Sequence, residues 1–168
     1  TKKFKNKTLL EHTIEKAKKS KYINRIIVST DNKYTLKIAT KVGAQCPFIR
    51  PQELSLPFIN LETVNNYTLK KIENLKIHPD LIVHLEESFI FRSNNLIDDM
   101  IIKLLDKGFD TLIAAKEEGG WIWKEEKDNS MFRIDQGDIP RYLKNKSFLG
   151  LKGLCMITYP EFIRENNG

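Results

Sequence analysis

Cysteine is scarce in this chain. Cys46 and Cys155 are its only two in 168 residues; they lie far apart, in no CxxC or His/Cys spacing, so neither a zinc site nor a disulfide framework is expected. Reduced, buried thiols in a cytoplasmic protein are the plain reading. Histidine is as thin: His12 lies on a helical stretch, His78 precedes a proline, and His84 sits inside a strand-like run. Core or surface roles are expected for all three, because no Ser/His/Asp or Cys/His constellation surrounds them. Long apolar runs are missing too: nothing approaches the roughly 18 residues of a membrane span. The opening "TKKFKNKTLLEH" is basic without the apolar stretch of a secretory signal. The expectation is a protein with no membrane partner.

What is present suits one domain with one core. Apolar residues make up 40% and charged residues 30%, an ordinary balance for a globular protein. The net charge is +6 with a pI near 9.2, which raises the question of nucleic acid. The lysines are spread along the chain, in "KKFKNK", "KAKKSK" and "KNK", whereas a polynucleotide footprint is concentrated. Nucleic acid is therefore not the expected partner. A small polyanionic ligand is a more economical use of the charge.

Hydrophobic periodicity predicts alternating elements. "TLLEHTIEKAKK" (8–19) places Leu9, Leu10, Ile14 and Ala17 on one stripe, with Thr8 and Glu11 spaced as a capping box. "RIIVST" (25–30) reads as a buried strand ending in Ser29, Thr30 and Asp31. Asp31 can cap the next helix, which Gly43 stops. The pattern then repeats as helix 60–75, strand 79–88, helix 94–108 closed by Gly108, and strand 109–117. Such alternation implies an α/β fold with a mostly parallel sheet, whose ligands gather outside the carboxyl ends of the strands. Beyond 118 the rhythm breaks into a small β-excursion over 119–150, with Trp121 and Trp123 on one strand face. A strand at 153–158 and a short helix opened by Pro160 close the chain.

One stretch fits no element. In "GAQCPFIRPQELSLP" (43–57) Arg50 stands immediately before Pro51, which biases it toward extended geometry and lowers the cost of ordering it.

Taken together, "KTLLEHTIEKA", "INRIIVSTDN", "KVGAQCPFIRPQEL" and "IPR" resemble the acylneuraminate cytidylyltransferase family, in register over nearly the whole chain. "VSTDN" with its helix and "PFIRPQEL" are the most specific parts. The resemblance implies a Rossmann-like nucleotidyltransferase fold for a single domain over 1–168. It implies transfer of CMP from CTP to a nine-carbon sugar acid of the sialic or legionaminic type, with Mg²⁺ as cofactor. It also implies a homodimer in which 119–150 serves dimerisation. Family members begin with a strand and a basic loop, A-R-x-G-S-K, that wraps the CTP phosphates, and carry metal-binding aspartates near the carboxyl end. Neither is in this sequence, so an interior portion of a longer protein is expected.

Carried over residue by residue, the resemblance implies a nucleotide contact for Arg50, with pairing to Glu53 as its alternative. Ser29, Thr30 and Asp31 are expected at the base or ribose, helix capping remaining open for Asp31. Arg141 of "IPR" and Lys124 of "WIWK" are expected toward the sugar acid; a loop ion pair and a solvated surface are their alternatives. The family's L-Q-P-T-S-P-x-R stands here as Leu85-Glu86-Glu87-Ser88-Phe89-Ile90-Phe91-Arg92, and Glu86, Ser88 and Arg92 are the sugar-side candidates. Glu86 replaces an amide with a carboxylate that, ionised, only accepts hydrogen bonds. That departure implies an altered acceptor, a less acidic or amino-bearing sugar, a related nucleotidyltransferase, or a degenerate nucleotide-binding module. After "RPQEL" the family's Asp-Thr is replaced by Pro57-Phe58.

Overall fold

The computed structural model describes residues 2–135, 137–143 and 145–165, with every side chain among them except that of Arg141. The first helix, α1 (Leu9–Lys18), starts where its sequence dictates. Thr8 Oγ1 accepts from the Glu11 N–H at 3.2 Å, and Glu11 Oε2 accepts from the Thr8 N–H at 2.6 Å. This reciprocal pair satisfies two donors that a helix start otherwise leaves bare. Ahead of it lies a hairpin that the periodicity did not announce, β1 (Lys3–Phe4) against β2 (Lys7–Thr8). Its turn residues Lys5 and Asn6 have φ of 45° and 65°, as a tight two-residue hairpin turn requires.

Helix α2 (Lys33–Lys41) is capped by Asn32, not by Asp31. Asn32 Oδ1 accepts from the Tyr34 and Thr35 N–H groups. The Thr30 hydroxyl accepts from the Asn32 N–H at 3.1 Å, so the chain is still turning at residue 31 and the helix opens one residue later. Helix α3 (Leu61–Asn74) is capped by Asn60, and α4 (Leu96–Lys107) ends on Gly108 at φ +65°, a left-handed exit that glycine adopts without a steric penalty. Helix α5 (Pro160–Glu165) opens on its proline, as expected.

The sheet departs from a mostly parallel one. Strands β3 (Ile82–His84), β4 (Thr111–Ile113) and β9 (Met156–Thr158) form a sheet of order β3-β9-β4, with both pairings antiparallel. The reason lies in the excursion. The chain leaves β4 through β5 (Ala115–Glu118), makes a small hairpin of β6 (Trp123–Glu125) and β7 (Met131–Arg133), and returns through β8 (Ser147–Gly150), which pairs with β5. A return of this kind lays β9 antiparallel to β4 and wedges it between the two strands that alternation alone would make neighbours. The expected strand at 25–30 is extended and, among the described residues, pairs only with the segment after α2, through a parallel bridge of Ile27 with Gln45.

Burial is divided among three clusters. Ile97, Met100, Ile101 and Leu104 of α4 pack with Ala114, Cys155 and Ile157. Leu10 and Ile14 of α1 pack with Ala39 and Ala44. Leu69 and Ile72 of α3 pack with Ile163 of α5. A domain of this size ordinarily has one contiguous core; here a cavity of about 1380 Å³ lies among the three. Cys155 is fully buried and its thiol is pushed up to about 11 by desolvation. Cys46 is only half-buried, short of the burial expected for it.

Candidate active site

The cavity brings together most of the residues singled out in the sequence. Ser29, Thr30, Asp31, Arg50, Glu86 and Ser88 all line it. Two strand ends build this rim. Residues 25–31 supply Ser29 to Asp31, and the chain leaving β3 supplies Glu86 to Ser88. Helix α3 flanks both: the Thr68 hydroxyl lies 2.9 Å from Ser29 Oγ, and Glu62 in its first turn is joined at 2.7 Å to Lys152, beside the β3 exit.

Arg50 does not pair with Glu53. Its N–H donates to the Thr30 carbonyl, continuing the parallel contact begun at Gln45. Its Nε and Nη2 donate to Ser55 Oγ at 3.2 and 3.0 Å, and Nη1 donates to the Ser29 carbonyl at 3.3 Å. Ser55 belongs to the short 3-10 turn Gln52–Ser55 that follows Pro51. A guanidinium has five N–H groups, so one on each terminal nitrogen remains for a ligand while the fork is held still.

Thr30 is 7% exposed and its hydroxyl serves the turn to Asn32, so within the trio Ser29 and Asp31 are the side chains more open to the cavity. Glu86 stands close to its partners. A Cβ at Gly153 would lie 2.5 Å from Glu86 Cδ and 2.7 Å from Phe89, so only a glycine there lets the carboxylate take this position. Glu86 Oε1 lies 3.7 Å from His84 Nε2, an atom shut off from solvent with no hydrogen-bond partner. Burial pushes the His84 imidazole below its ordinary range; Glu86 opposes this, while Arg92 and Lys152 reinforce it. His84 is thus held neutral beside an acceptor-only carboxylate.

Arg92 is a correction to the sequence reading, which put it at the sugar. It is 4% exposed and does not line the cavity. Its Nε donates to the Leu154 carbonyl, Nη1 to Thr13 Oγ1, and Nη2 to the carbonyls of Glu86 and Gly153, at 2.6 to 3.2 Å. The guanidinium is therefore consumed in fastening α1, the β3 exit and the turn before β9 to one another. Lys124 is also placed elsewhere: it lies on β6, 3.2 Å from Glu126 and over the Phe132 ring, not on the cavity wall. The side chain of Arg141 lies outside the described residues. Sequence reasoning missed Thr68 and the Glu62–Lys152 pair, whose roles depend on which helix flanks which strand and carry no local signal. Gly153 left a faint one, as a glycine opening an expected strand.

The fold is that of the α/β nucleotidyltransferases: the crystal structure of 4-diphosphocytidyl-2C-methyl-D-erythritolsynthase from Anaerococcus prevotii superposes with a TM-score of 0.65 at 15% identity, over 96% of this chain and 64% of that one. The cytidylyltransferase family profile matches residues 1–131, and the chain belongs to that family. It is 28% identical over 163 residues to the CMP-N,N'-diacetyllegionaminic acid synthase of Legionella pneumophila, covering 95% of this chain and 70% of that protein. It is 24% identical over 114 residues to a pseudaminic acid cytidylyltransferase of Campylobacter jejuni, covering 68% of this chain and 49% of that protein. The chain thus spans between about half and two-thirds or so of the length of these relatives. Among the described residues no helix is long and apolar enough to cross a membrane.

Two outcomes follow. Arg92→Lys cannot reproduce the fork and leaves buried carbonyls without donors, so it lowers unfolding stability by about 3 kcal/mol or more in urea titrations. His84 contributes a pH slope. Its folded pKa lies below the ordinary 6.5, so the unfolded chain takes up the proton first and stability falls as pH drops through that value. The urea midpoint should fall from about pH 7 to 5, and the slope should be shallower in His84→Gln.

Proposed function

We propose that the full-length protein transfers CMP from CTP to a nonulosonic acid of the legionaminic or sialic type, releasing pyrophosphate. Membership of the cytidylyltransferase family and the names of the relatives support the reaction class. The observation that carries it to this site is Arg50, locked by Ser55 and the Ser29 carbonyl at a shared rim with Glu86. Its two remaining N–H groups suit a phosphate or a cytosine carbonyl, and their fixed direction means little ordering is lost on binding.

The reaction is attack of the anomeric hydroxyl on the α-phosphorus with departure of pyrophosphate. Charge is dense from the start, so the protein's share is positioning and neutralisation. Glu86, ionised, repels the sugar's own carboxylate and accepts from its hydroxyl or N–H groups. That favours an acceptor presenting donors on this side, with its acid group turned away. Mg²⁺ belongs to the proposal only through its usual economy, one or two carboxylates with phosphate oxygens and waters. Among the described residues no group of three or more His, Cys, Asp or Glu is placed to hold a metal ion. These residues do not by themselves form a cage for it.

A homodimer is part of the same reading. Trp121 (63% exposed), Tyr142 (85%) and Phe148 (62%) are large exposed apolar side chains of the excursion, of the kind enriched at interfaces. A cytoplasmic setting also belongs to this reading.

Pyrophosphate release by the full-length protein, with the four nucleoside triphosphates and legionaminic, pseudaminic and N-acetylneuraminic acids, tests the activity. CTP with one of these acids should release it, and silence with all of them overturns the transferase reading. Arg50→Ala should weaken CTP binding by roughly 10- to 100-fold with the fold retained; CTP binding without pyrophosphate release in the unaltered protein marks a nucleotide-binding module. Sedimentation should show a dimer that Trp121→Glu with Phe148→Glu converts to monomer.

A further inference from the structure

Alternation along one strand sets His84 and Glu86 on a common face. Val83 and Leu85 pack onto the α4 cluster, whereas Ile82 packs onto the cluster of α3 and α5. The even residues therefore run up the α3 side of β3 and end on Glu86 at the cavity rim. Both backbones are fixed. His84 is in register with Met156 of β9, the Glu86 N–H donates to the Gly153 carbonyl at 2.8 Å, and the Glu86 carbonyl accepts from Arg92. What remains adjustable is how the two side chains meet.

Nε2 and Oε1 are 3.7 Å apart, just beyond a hydrogen bond and within reach of a small side-chain rotation. Each group has a reason to close the gap. Nε2 is shut off from solvent with no partner, a state that buried polar atoms rarely keep. Glu86 cannot retreat toward Gly153, where its Cδ and Oε2 already occupy the place of a side chain. The other charged groups around the imidazole do not compete for its proton. Arg92 and Lys152 are cations, and Glu62 of α3 is held by Lys152 at 2.7 Å. Glu86 is the acceptor left. The exchange read in the sequence fits this arrangement. An amide at position 86 could turn either its donor or its acceptor end to a neighbour, whereas an ionised carboxylate needs a donor, and His84 supplies one two residues earlier.

We propose that His84 is the positioning residue of this wall: its Nε2–H donates to Glu86 Oε1, and the carboxylate so held presents its remaining lone pairs to one donor, an N–H or hydroxyl, of the acceptor sugar. The tautomer follows from the pairing. A neutral imidazole has one N–H and one bare nitrogen, and only the form with its proton on Nε2 suits a carboxylate. The imidazole acts through Glu86 and not on the sugar, because Nε2 is closed to solvent. The inference takes from the transferase reading only the identity of the ligand; the pairing does not depend on it.

Nitrogen-15 NMR of the histidine-labelled full-length protein, with His84 assigned through His84→Gln, reads the pairing without turnover. The proton is expected on Nε2 in the unaltered protein and divided between the two nitrogens in Glu86→Ala. A proton on Nδ1, or a tautomer indifferent to Glu86→Ala, overturns the proposal. Steady-state kinetics with the nonulosonic acid that the protein turns over read the role. His84→Leu keeps an apolar side chain in place and should lower kcat/KM for the sugar roughly 10-fold, as loss of a hydrogen bond to a charged group does, with the KM for CTP unchanged. Glutamine carries an N–H at the place of Nε2 and asparagine at that of Nδ1, so His84→Gln should recover the loss and His84→Asn should not. No loss in His84→Leu, an equal rise in the KM for CTP, or a loss in His84→Gln as large as in His84→Leu overturns the role. Silence with every acid is failure of the transferase reading, and the tautomer with its response to Glu86→Ala still upholds or overturns the pairing.

Discussion

A single buried guanidinium holds the functional end of this molecule together. Arg92 reaches Thr13 on α1, the Glu86 carbonyl at the exit of β3, and the Gly153 and Leu154 carbonyls before β9. None of these segments could present its carbonyls to the interior without a donor, since an unpaired buried acceptor costs about 1–3 kcal/mol. Burial works against the charge itself and lowers the Arg92 pKa; an ordinary lysine, with one compact ammonium, could not serve four acceptors in this arrangement. The position of Glu86 at the cavity therefore follows from a residue that never touches it.

The chemistry of the rim is set by the same neighbourhood. Gly153 gives up its side chain so that Glu86 can lie against it, and His84 is buried beside the carboxylate in neutral form. The result is an acceptor-rich wall on the cavity that Arg50 also lines, Arg50 being anchored at the other strand end by Ser55 and the Ser29 carbonyl. Donor and acceptor are thus separated onto two elements, each fixed by its own hydrogen bonds. That is a suitable frame for placing an anion on one side and a hydroxyl- or amide-bearing sugar on the other.

Division of the core into three clusters has the same origin as the departure from a parallel sheet. The excursion brings β9 back between β3 and β4, which closes that side of the sheet and buries Cys155 and Ile157 completely. On the other side of β3 no such return occurs. That side lines the cavity, whose other wall includes the extended segment 25–30.

The sequence by itself determined the helices and their order and the cap of α1, while the cap of α2 is Asn32 and not Asp31. A capping box at Thr8 and Glu11, glycine exits at Gly43 and Gly108, and a proline before α5 act over three or four residues, and such signals survive without knowledge of the rest of the chain. It also carried the family, because "VSTDN" and "PFIRPQEL" keep their residues together. Tertiary structure alone decided which charged groups face the cavity. Arg50 and Arg92 each look like a ligand-binding arginine in sequence; one retains two N–H groups at the rim, and the other is buried, with four of its five N–H groups taken by protein carbonyls and a threonine 79 residues away. The direction of β9 and the neighbours of Glu86 were equally out of reach, because they depend on contacts between segments remote in the chain, and local residue patterns carry no record of them.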